Sequence, residues 1–395
     1  MLVDWQGYKP GPSSPVTEGF QALRSTAGPD GTAPFLLGFG SVARVNPYQA
    51  LLYRSFERHG FAVTPVFDVT RLRELLHLKP MASGVGLHLH WTSSVIGGAR
   101  NEREAVVKSN GFLGRIDRFK ESGGKLVWTA HNIYPHDSRF VDVDLALQQG
   151  IAERADAVHV MANATASALG DHLRLDGRKV IVAPHPSYEG AYENYLSRSE
   201  SRQSLGLDAD ELVFVLFGAL KAYKGLKELA DGFDELCRRR TPFRFRLLIA
   251  GAADEAPIVQ DFVKWAVAHP LVMIDTKTVP QHRVQNFLNA ADAGLLGYSR
   301  SLNSGAALLY QTFGLPVLAT DTPVLREALD PASTRYFDPH SGASSYATNL
   351  QELASVSKNF ETAALQTSLK EIAPELVSTR FAKALAAKLG VNTLG

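Results

Sequence analysis

The chain has 395 residues, 45% hydrophobic and 21% charged, the profile of a folded globular protein too long for one ordinary core. A formal net charge of +1 supplies no global field for nucleic acid or an anionic membrane, so any such attraction has to be local. A single cysteine, Cys237, excludes an intrachain disulfide and a CxxC zinc site.

The first residues lack a basic segment followed by an apolar one, so no signal peptide is read, and no apolar run reaches the roughly 18 residues that span a bilayer. The expected location is cytoplasmic, with any membrane contact peripheral at the inner face. Residues 1–32, rich in Gly, Pro and Ser, read as an irregular arm. Strands and helices then alternate. Pro34–Gly40 reads as a strand, and Asn46-Pro47 opens a helix running to about His59. Strands follow at Phe61–Phe67, Val85–Trp91, Lys125–His131, Ala157–Val160 and Lys179–Ala183. Near-continuous apolar strands separated by helices predict a parallel sheet covered on both faces.

Residues 184–204 break the pattern with Pro, Tyr, Asn and Ser, and read as a linker. Alternation restarts with strands at Leu212–Phe217, Phe245–Ala250, Leu271–Asp275, Ala293–Gly297, Pro316–Ala319 and Arg335–Phe337. Helices are predicted between them at Leu226–Arg238 and Ala256–Ala268, and beyond them near Thr362–Leu369 and Arg380–Leu389. The expected domains are an N-terminal Rossmann-like unit (1–190), a linker (191–205), a C-terminal Rossmann-like unit (206–375) and a closing helix (376–395).

In open parallel α/β sheets, ligands bind beyond the carboxyl ends of the strands. Lys221 and Lys224 follow one such strand and precede a helix. An ammonium there neutralises a diphosphate leaving group, unless these are ordinary turn lysines. Asn303-Ser304-Gly305 opens an apolar helix whose free N–H groups and dipole favour an anion, although a capped start is common to most helices. Thr320 and Asp321 close a short buried strand and are expected to face the ligand. His131 ends a strand and is placed to touch a ligand; Asp137 is a candidate general base or an Asx-turn residue. His88 and His90 share one face of another strand end beside Trp91. They are not read as a metal site, since no further ligand is spaced to join them. Gly38-Phe-Gly40-Ser41 lacks the full dinucleotide fingerprint and reads as a tight turn lining the site, with Gly40 counted among the donor-binding residues. Residues 100–125 mix Arg and Lys with Phe112, Leu113, Ile116 and Phe119. That pattern fits either an amphipathic stretch on an anionic bilayer or a solvated helix face weakened by Gly111 and Gly114.

Together, Trp128-Thr-Ala-His131-Asn, Lys179 to Tyr188, Gly218 to Leu226 and Asn303 to Val317 give the chain a resemblance to the GT-B glycosyltransferases, most closely glycosyltransferase family 4 and its bacterial exopolysaccharide-type subset. The resemblance implies an α/β GT-B fold, two Rossmann-like doubly wound domains facing a cleft. It implies metal-independent transfer of a sugar from a nucleotide-sugar donor to a saccharide or lipid-linked acceptor hydroxyl. The donor is a substrate, not a cofactor, with UDP slightly favoured over GDP. Lys224 matches the family's pyrophosphate lysine, His131 its donor-sugar histidine, and Gly305 with its neighbours the phosphate-binding amides. Ala219 stands where the family has an arginine, and the family's glutamate pair falls on Ser301 and Leu309, with Asn303 and Ser304 the candidates to replace part of that contact. A non-catalytic nucleotide-sugar-binding protein and a nucleotide-sugar epimerase are the competing readings.

Overall fold

All twelve apolar runs read as strands form strands, and both sheets they build are parallel throughout. The structure, a computed structural model, describes residues 14–26, 31–43, 45–135, 138–297, 302–358, 360 and 362–391. The chain divides into two units, residues 1–186 with 374–395, and residues 187–373. Each is a six-stranded doubly wound sheet, so the expected pair of Rossmann-like domains is present.

In the first unit, β1 (Phe35–Gly40), β2 (Phe61–Pro65), β3 (Gly84–Leu89), β4 (Lys125–Thr129), β5 (Ala157–Val160) and β6 (Val180–Val182) lie in the order β2-β1-β3-β4-β5-β6. The strand order reverses between β1 and β3, which makes their carboxyl ends the topological switch point. Helix Pro374–Leu389 belongs to this unit, with Phe381 buried beside Phe56 and stacked on the ring of His159.

In the second unit, β7 (Leu212–Phe217), β8 (Phe245–Ala250), β9 (Val272–Asp275), β10 (Ala293–Leu295), β11 (Val317–Thr320) and β12 (Thr334–Phe337) take the order β12-β11-β10-β7-β8-β9. Here the switch point falls between β7 and β10. Helix Leu226–Arg238 buries Leu226, Leu229, Phe233 and Leu236 against this sheet, a spacing of three and four that keeps them on one face.

Three expectations change. The supposed arm contains a helix, Pro15–Thr26, whose buried residues Pro15, Gly19, Leu23 and Thr26 recur once per turn. Gly19 is small because Leu78 packs there: a Cβ on it would lie 2.6 Å from the Leu78 Cδ1. The stretch read as a linker is built into the second unit. Gln285 accepts from the Tyr195 and Leu196 N–H groups, and a Ser197–Glu200 capping box opens helix Arg198–Leu205. Residues 102–121 form an uninterrupted helix through Gly111 and Gly114, with Phe112, Ile116 and Phe119 in the core. Three of the four apolar side chains named for a bilayer-facing reading are therefore already buried in protein, and Leu113 is half-buried. Among the described residues no helix is long and apolar enough to cross a membrane.

Arg202 shows why the 198–205 helix is fixed. Its buried guanidinium donates to the carbonyls of Asp208, Ala209, Glu211 and Ala290 and to the Asp292 carboxylate at 2.7 Å. Asp292 in turn accepts from the Val213 N–H, tying the starts of β7 and β10 together. Arg202→Leu strands the four carbonyls and leaves the Asp292 carboxylate with only Arg198 and the Val213 N–H. The expected result is a loss of roughly 3 kcal/mol, read as a lower urea midpoint for the transition of the second unit.

Candidate functional site

The second unit places its candidate residues Lys221, Lys224 and Asn303 to Gly305 around the β7/β10 switch point. After Phe217, Gly218 (φ +95) turns the chain, and Gly225 (φ +62) turns it again into helix Leu226–Arg238. Both conformations favour glycine. At Gly225 there is also no room: a Cβ would sit 1.9 Å from the Gly297 carbonyl oxygen. Backbone therefore packs directly on backbone, and the lysine turn is pressed against the end of β10.

The two lysines of this turn have different fates. Lys221 pairs with the Asp254 carboxylate at 2.6 Å, partly exposed. Lys224 is buried, 7% exposed, with its ammonium 3.4 Å from the Phe217 carbonyl. Among the described residues no carboxylate balances it, and burial pushes its pKa down to about 8. An unpaired buried cation is costly, and an anion brought to it repays that cost.

Phe217 links this lysine to the second element. Its N–H donates to the Tyr310 hydroxyl at 2.7 Å, and that hydroxyl also reaches the Leu295 carbonyl. Tyr310 lies on helix Gly305–Thr312, so the helix is anchored to the carboxyl ends of both β7 and β10. Ser304 caps the helix by accepting from the Ala307 N–H at 3.1 Å. The Gly305 and Ala306 N–H groups come before the first intrahelical acceptor. Asn303 is half-buried just ahead of them. Thr320 is buried at the end of β11. The Asp321 carboxylate next to it is held by Arg326 at 2.5 and 2.7 Å, which keeps it below its ordinary pKa. Leu309, on which the sequence resemblance sets one glutamate, is buried; Ser301 lies outside the described residues.

In the first unit, Gly40 ends β1, and its carbonyl accepts from the His90 N–H. Its Cα faces the core, since an added Cβ would be 2.4 Å from the Val69 Cγ1. His131 follows β4, buried and stacked on Trp91 with ring centroids 4.3 Å apart. Gln148, with its amide turned to satisfy both ends, donates to the carbonyls of Asn132 and Ile133 and holds the loop after His131. A cavity of about 30 Å³ lies here, lined by His90, Trp91, Trp128, His131 and Gln148 among others. Asp137 lies outside the described residues.

Four further groups join His131 that sequence reasoning had not assembled: Tyr53, Thr129, His159 and His185. The alternation at His88/His90 was the visible signal; His159 and His185 come from other strand ends. All five histidines are buried and their pKa values lowered, His159 and His185 to about 4, with burial the main cause. Among the described residues no group of three His, Cys, Asp or Glu is arranged to hold a metal ion.

Residues 211–355 match the family model described as glycosyl transferases group 1. No curated protein sequence matches the chain. Among solved structures, the chain is similar to Anabaena HepE in complex with UDP and glucose, at 15% identity and a TM-score of 0.62, covering 90% of this chain and 100% of that one. It is similar to sucrose-phosphate synthase from Thermosynechococcus elongatus, at 13% identity and a TM-score of 0.69, covering 90% and 99%. It is also similar to a UDP-forming α,α-trehalose-phosphate synthase from Burkholderia xenovorans, solved with glucose-6-phosphate, at 11% identity and a TM-score of 0.60, covering 89% and 99%. These likenesses show a shared two-unit fold.

The neutral histidines set a pH dependence. An unfolded histidine protonates near pH 6.5, whereas folded His159 and His185 protonate near 4. Between these values the unfolded chain binds more protons, so stability falls as pH drops, by roughly 1.4 kcal/mol per pH unit for each such group. Thermal melts from pH 7 to 4 are expected to show this slope for the first unit. His159→Gln is expected to flatten it by one proton's worth, whatever it does to the absolute melting temperature.

Proposed function

We propose that the protein is a glycosyltransferase that moves a sugar from a nucleoside diphosphate donor, UDP in preference to GDP, to a hydroxyl of a saccharide or lipid-linked acceptor. The single observation that carries this reading is the buried ammonium of Lys224, balanced by no carboxylate among the described residues and joined through Phe217 to the helix that starts with the Gly305 and Ala306 N–H groups. A diphosphate supplies the charge that the lysine lacks. As the glycosyl bond breaks, negative charge grows on the departing phosphate, and a fixed ammonium in a dry setting stabilises that growth more than the ground state. The glycosyl transferases group 1 match over 211–355 covers these same elements. A structural relative solved with UDP supports the choice of base.

In this reading Lys224 and the Gly305 and Ala306 amides receive the diphosphate. Lys221, already paired with Asp254, contributes less. His131 is the proposed contact to the donor sugar, and Asp137 the proposed base for an inverting course. Work in bacterial exopolysaccharide or glycolipid assembly, at the inner face of the membrane, is the finer proposal and rests on the family resemblance at Asn303-Ser304-Gly305. The buried Leu309 in place of a glutamate favours one competing reading, a protein that binds a nucleotide sugar without turning it over.

Lys224→Met separates binding from stability. Removing an unpaired buried cation is expected to raise the melting temperature of the ligand-free protein. The same change is expected to weaken UDP binding at least about tenfold, measured by calorimetry. Wild-type affinity is expected to fall as pH rises above about 8, because the free lysine is then neutral and must take up a proton to bind. A Lys224→Met protein that binds UDP and transfers sugar like the wild type overturns the proposal.

A further inference from the structure

The buried polar groups around His131 form one continuous chain of hydrogen bonds. It runs from His131 Nε2 to His90 Nδ1 (3.0 Å), His90 Nε2 to Tyr53 Oη (2.7 Å) and Tyr53 Oη to His88 Nδ1 (2.6 Å). It continues from His88 Nε2 to Thr129 Oγ1 (2.7 Å), Thr129 Oγ1 to His159 Nδ1 (3.0 Å) and His159 Nε2 to the Ala183 carbonyl (2.9 Å). Five elements contribute: β3, β4, β5, the segment after β6, and the turn holding Tyr53.

The far end fixes every proton. A carbonyl oxygen only accepts, so His159 carries its hydrogen on Nε2 and its Nδ1 is bare. Bare Nδ1 takes the Thr129 hydroxyl hydrogen. Thr129 oxygen then accepts from His88 Nε2–H, which leaves His88 Nδ1 to accept from the Tyr53 hydroxyl. Tyr53 oxygen accepts from His90 Nε2–H, and His90 Nδ1 accepts from His131 Nε2–H. Each link has one donor and one acceptor only in this direction, provided the rings are neutral. Burial enforces that neutrality, lowering the pKa of all four rings and raising that of the Tyr53 phenol.

We infer that Tyr53, His88, His90, Thr129 and His159 are positioning residues that lock His131 in its Nε2–H tautomer, so that its Nδ1 is an obligate hydrogen-bond acceptor. A group meeting that nitrogen must be a donor. A sugar hydroxyl qualifies, whereas a phosphate oxygen or a carbonyl is rejected because it brings a second lone pair. The hydrogen-bonding sense of His131 is therefore set beyond five intervening side chains, at a backbone carbonyl. Only the identity of the ligand rests on the proposed function; the tautomer does not.

His185 supplies an internal control. Its Nδ1 lies 2.7 Å from the Pro186 carbonyl, so it must be the opposite tautomer, Nδ1–H. The experiment uses full-length protein with ¹⁵N-labelled histidine at pH 7, with ring nitrogens assigned through single His→Gln variants. Proton–nitrogen correlation spectra are expected to show His88, His90, His131 and His159 as Nε2–H and His185 as Nδ1–H. Tyr53→Phe leaves His90 Nε2–H without an acceptor, so His90 and His131 are expected to flip to Nδ1–H while His88 and His159 stay. Thr129→Val cuts the chain two links deeper, so His88, His90 and His131 are all expected to flip while His159 stays. Thr129→Ser is expected to restore the wild-type pattern. With activity as a second readout, Tyr53→Phe and Thr129→Val are expected to lower sugar transfer about ten- to hundredfold with UDP affinity unchanged. A His131 that is Nδ1–H or charged in the wild type, or that keeps its tautomer in both folded variants, overturns the inference. Flips as expected with transfer unchanged, or with no transfer by the wild type, leave the lock standing and count against the role of His131 in the proposed function.

Discussion

The structure of the second unit is organised around one expensive placement, an ammonium held against the carbonyl of Phe217 with no carboxylate among the described residues to balance it. Several features follow from it. Gly218 and Gly225 adopt positive φ so that the turn after β7 can bring a lysine back over the strand end. Gly297 is bare because the turn lies directly on it: a Cβ there would meet the Lys224 carbonyl oxygen at 2.6 Å. Tyr310 holds the Phe217 N–H, so the residue that receives the lysine through its carbonyl is fixed to the Gly305–Thr312 helix through its amide. Lys221, three residues earlier, shows the cheaper arrangement, a partly exposed lysine paired with Asp254. The contrast lies in burial and pairing, not in residue type.

The first unit solves the opposite electrostatic problem. It gathers five histidines at strand ends and keeps them uncharged, using burial to suppress protonation and a directed chain of hydrogen bonds to satisfy four of the neutral rings, with His185 bonded to the Pro186 carbonyl. A network of this kind is stable only when every member is paired in the same sense. The closing element is an acceptor, the Ala183 carbonyl, and Phe381 stacks on the adjacent His159 ring to keep water away. One unit therefore presents a charge that wants an anion, and the other presents neutral rings whose hydrogen-bonding sense is preset.

Much of the fold was legible because parallel strands buried on both faces are nearly continuous apolar runs. β5, β7 and β8 begin and end where the sequence pattern places them. What was not legible depended on side chains from distant elements. Helix Pro15–Thr26 was hidden because two of its four buried positions are Pro and Gly, chosen for close packing and not for hydrophobicity. Helix Arg198–Leu205 was hidden because its anchor, Arg202, is a buried charge whose five acceptors lie on other segments. At the candidate site, Lys224 and the Ser304 cap were visible as local motifs. The Asp254 partner of Lys221, the Tyr310 clamp and the His159–Thr129 link were not, since each joins residues from separate elements. Gly40 carries a related ambiguity: a glycine at a strand end signals ligand approach or tight packing alike, and here Val69 fills the space a Cβ would take.

The geometry of helix Gly305–Thr312 also limits where a ribose contact can arise in the proposed reading. Beyond its first turn the helix is committed to the core. Leu309 is buried, Tyr310 is spent on Phe217 and Leu295, and Gln311 is buried with its amide donating to Ser333 and Thr334. Restoring a glutamate at 309 would place a carboxylate among apolar side chains, where the penalty exceeds anything one ribose hydroxyl returns. Polar contact to a nucleotide on this side must therefore come from before the helix, where Asn303 is half-buried and Ser304 already gives its hydroxyl to the cap. Of these two, only the Asn303 amide has donors and an acceptor suited to a diol, while Ser304 is needed to keep the helix start open toward an anion. In that reading the two polar residues of this short motif divide the work, Asn303 offering the amide chemistry a diol needs and Ser304 shaping the amides behind it.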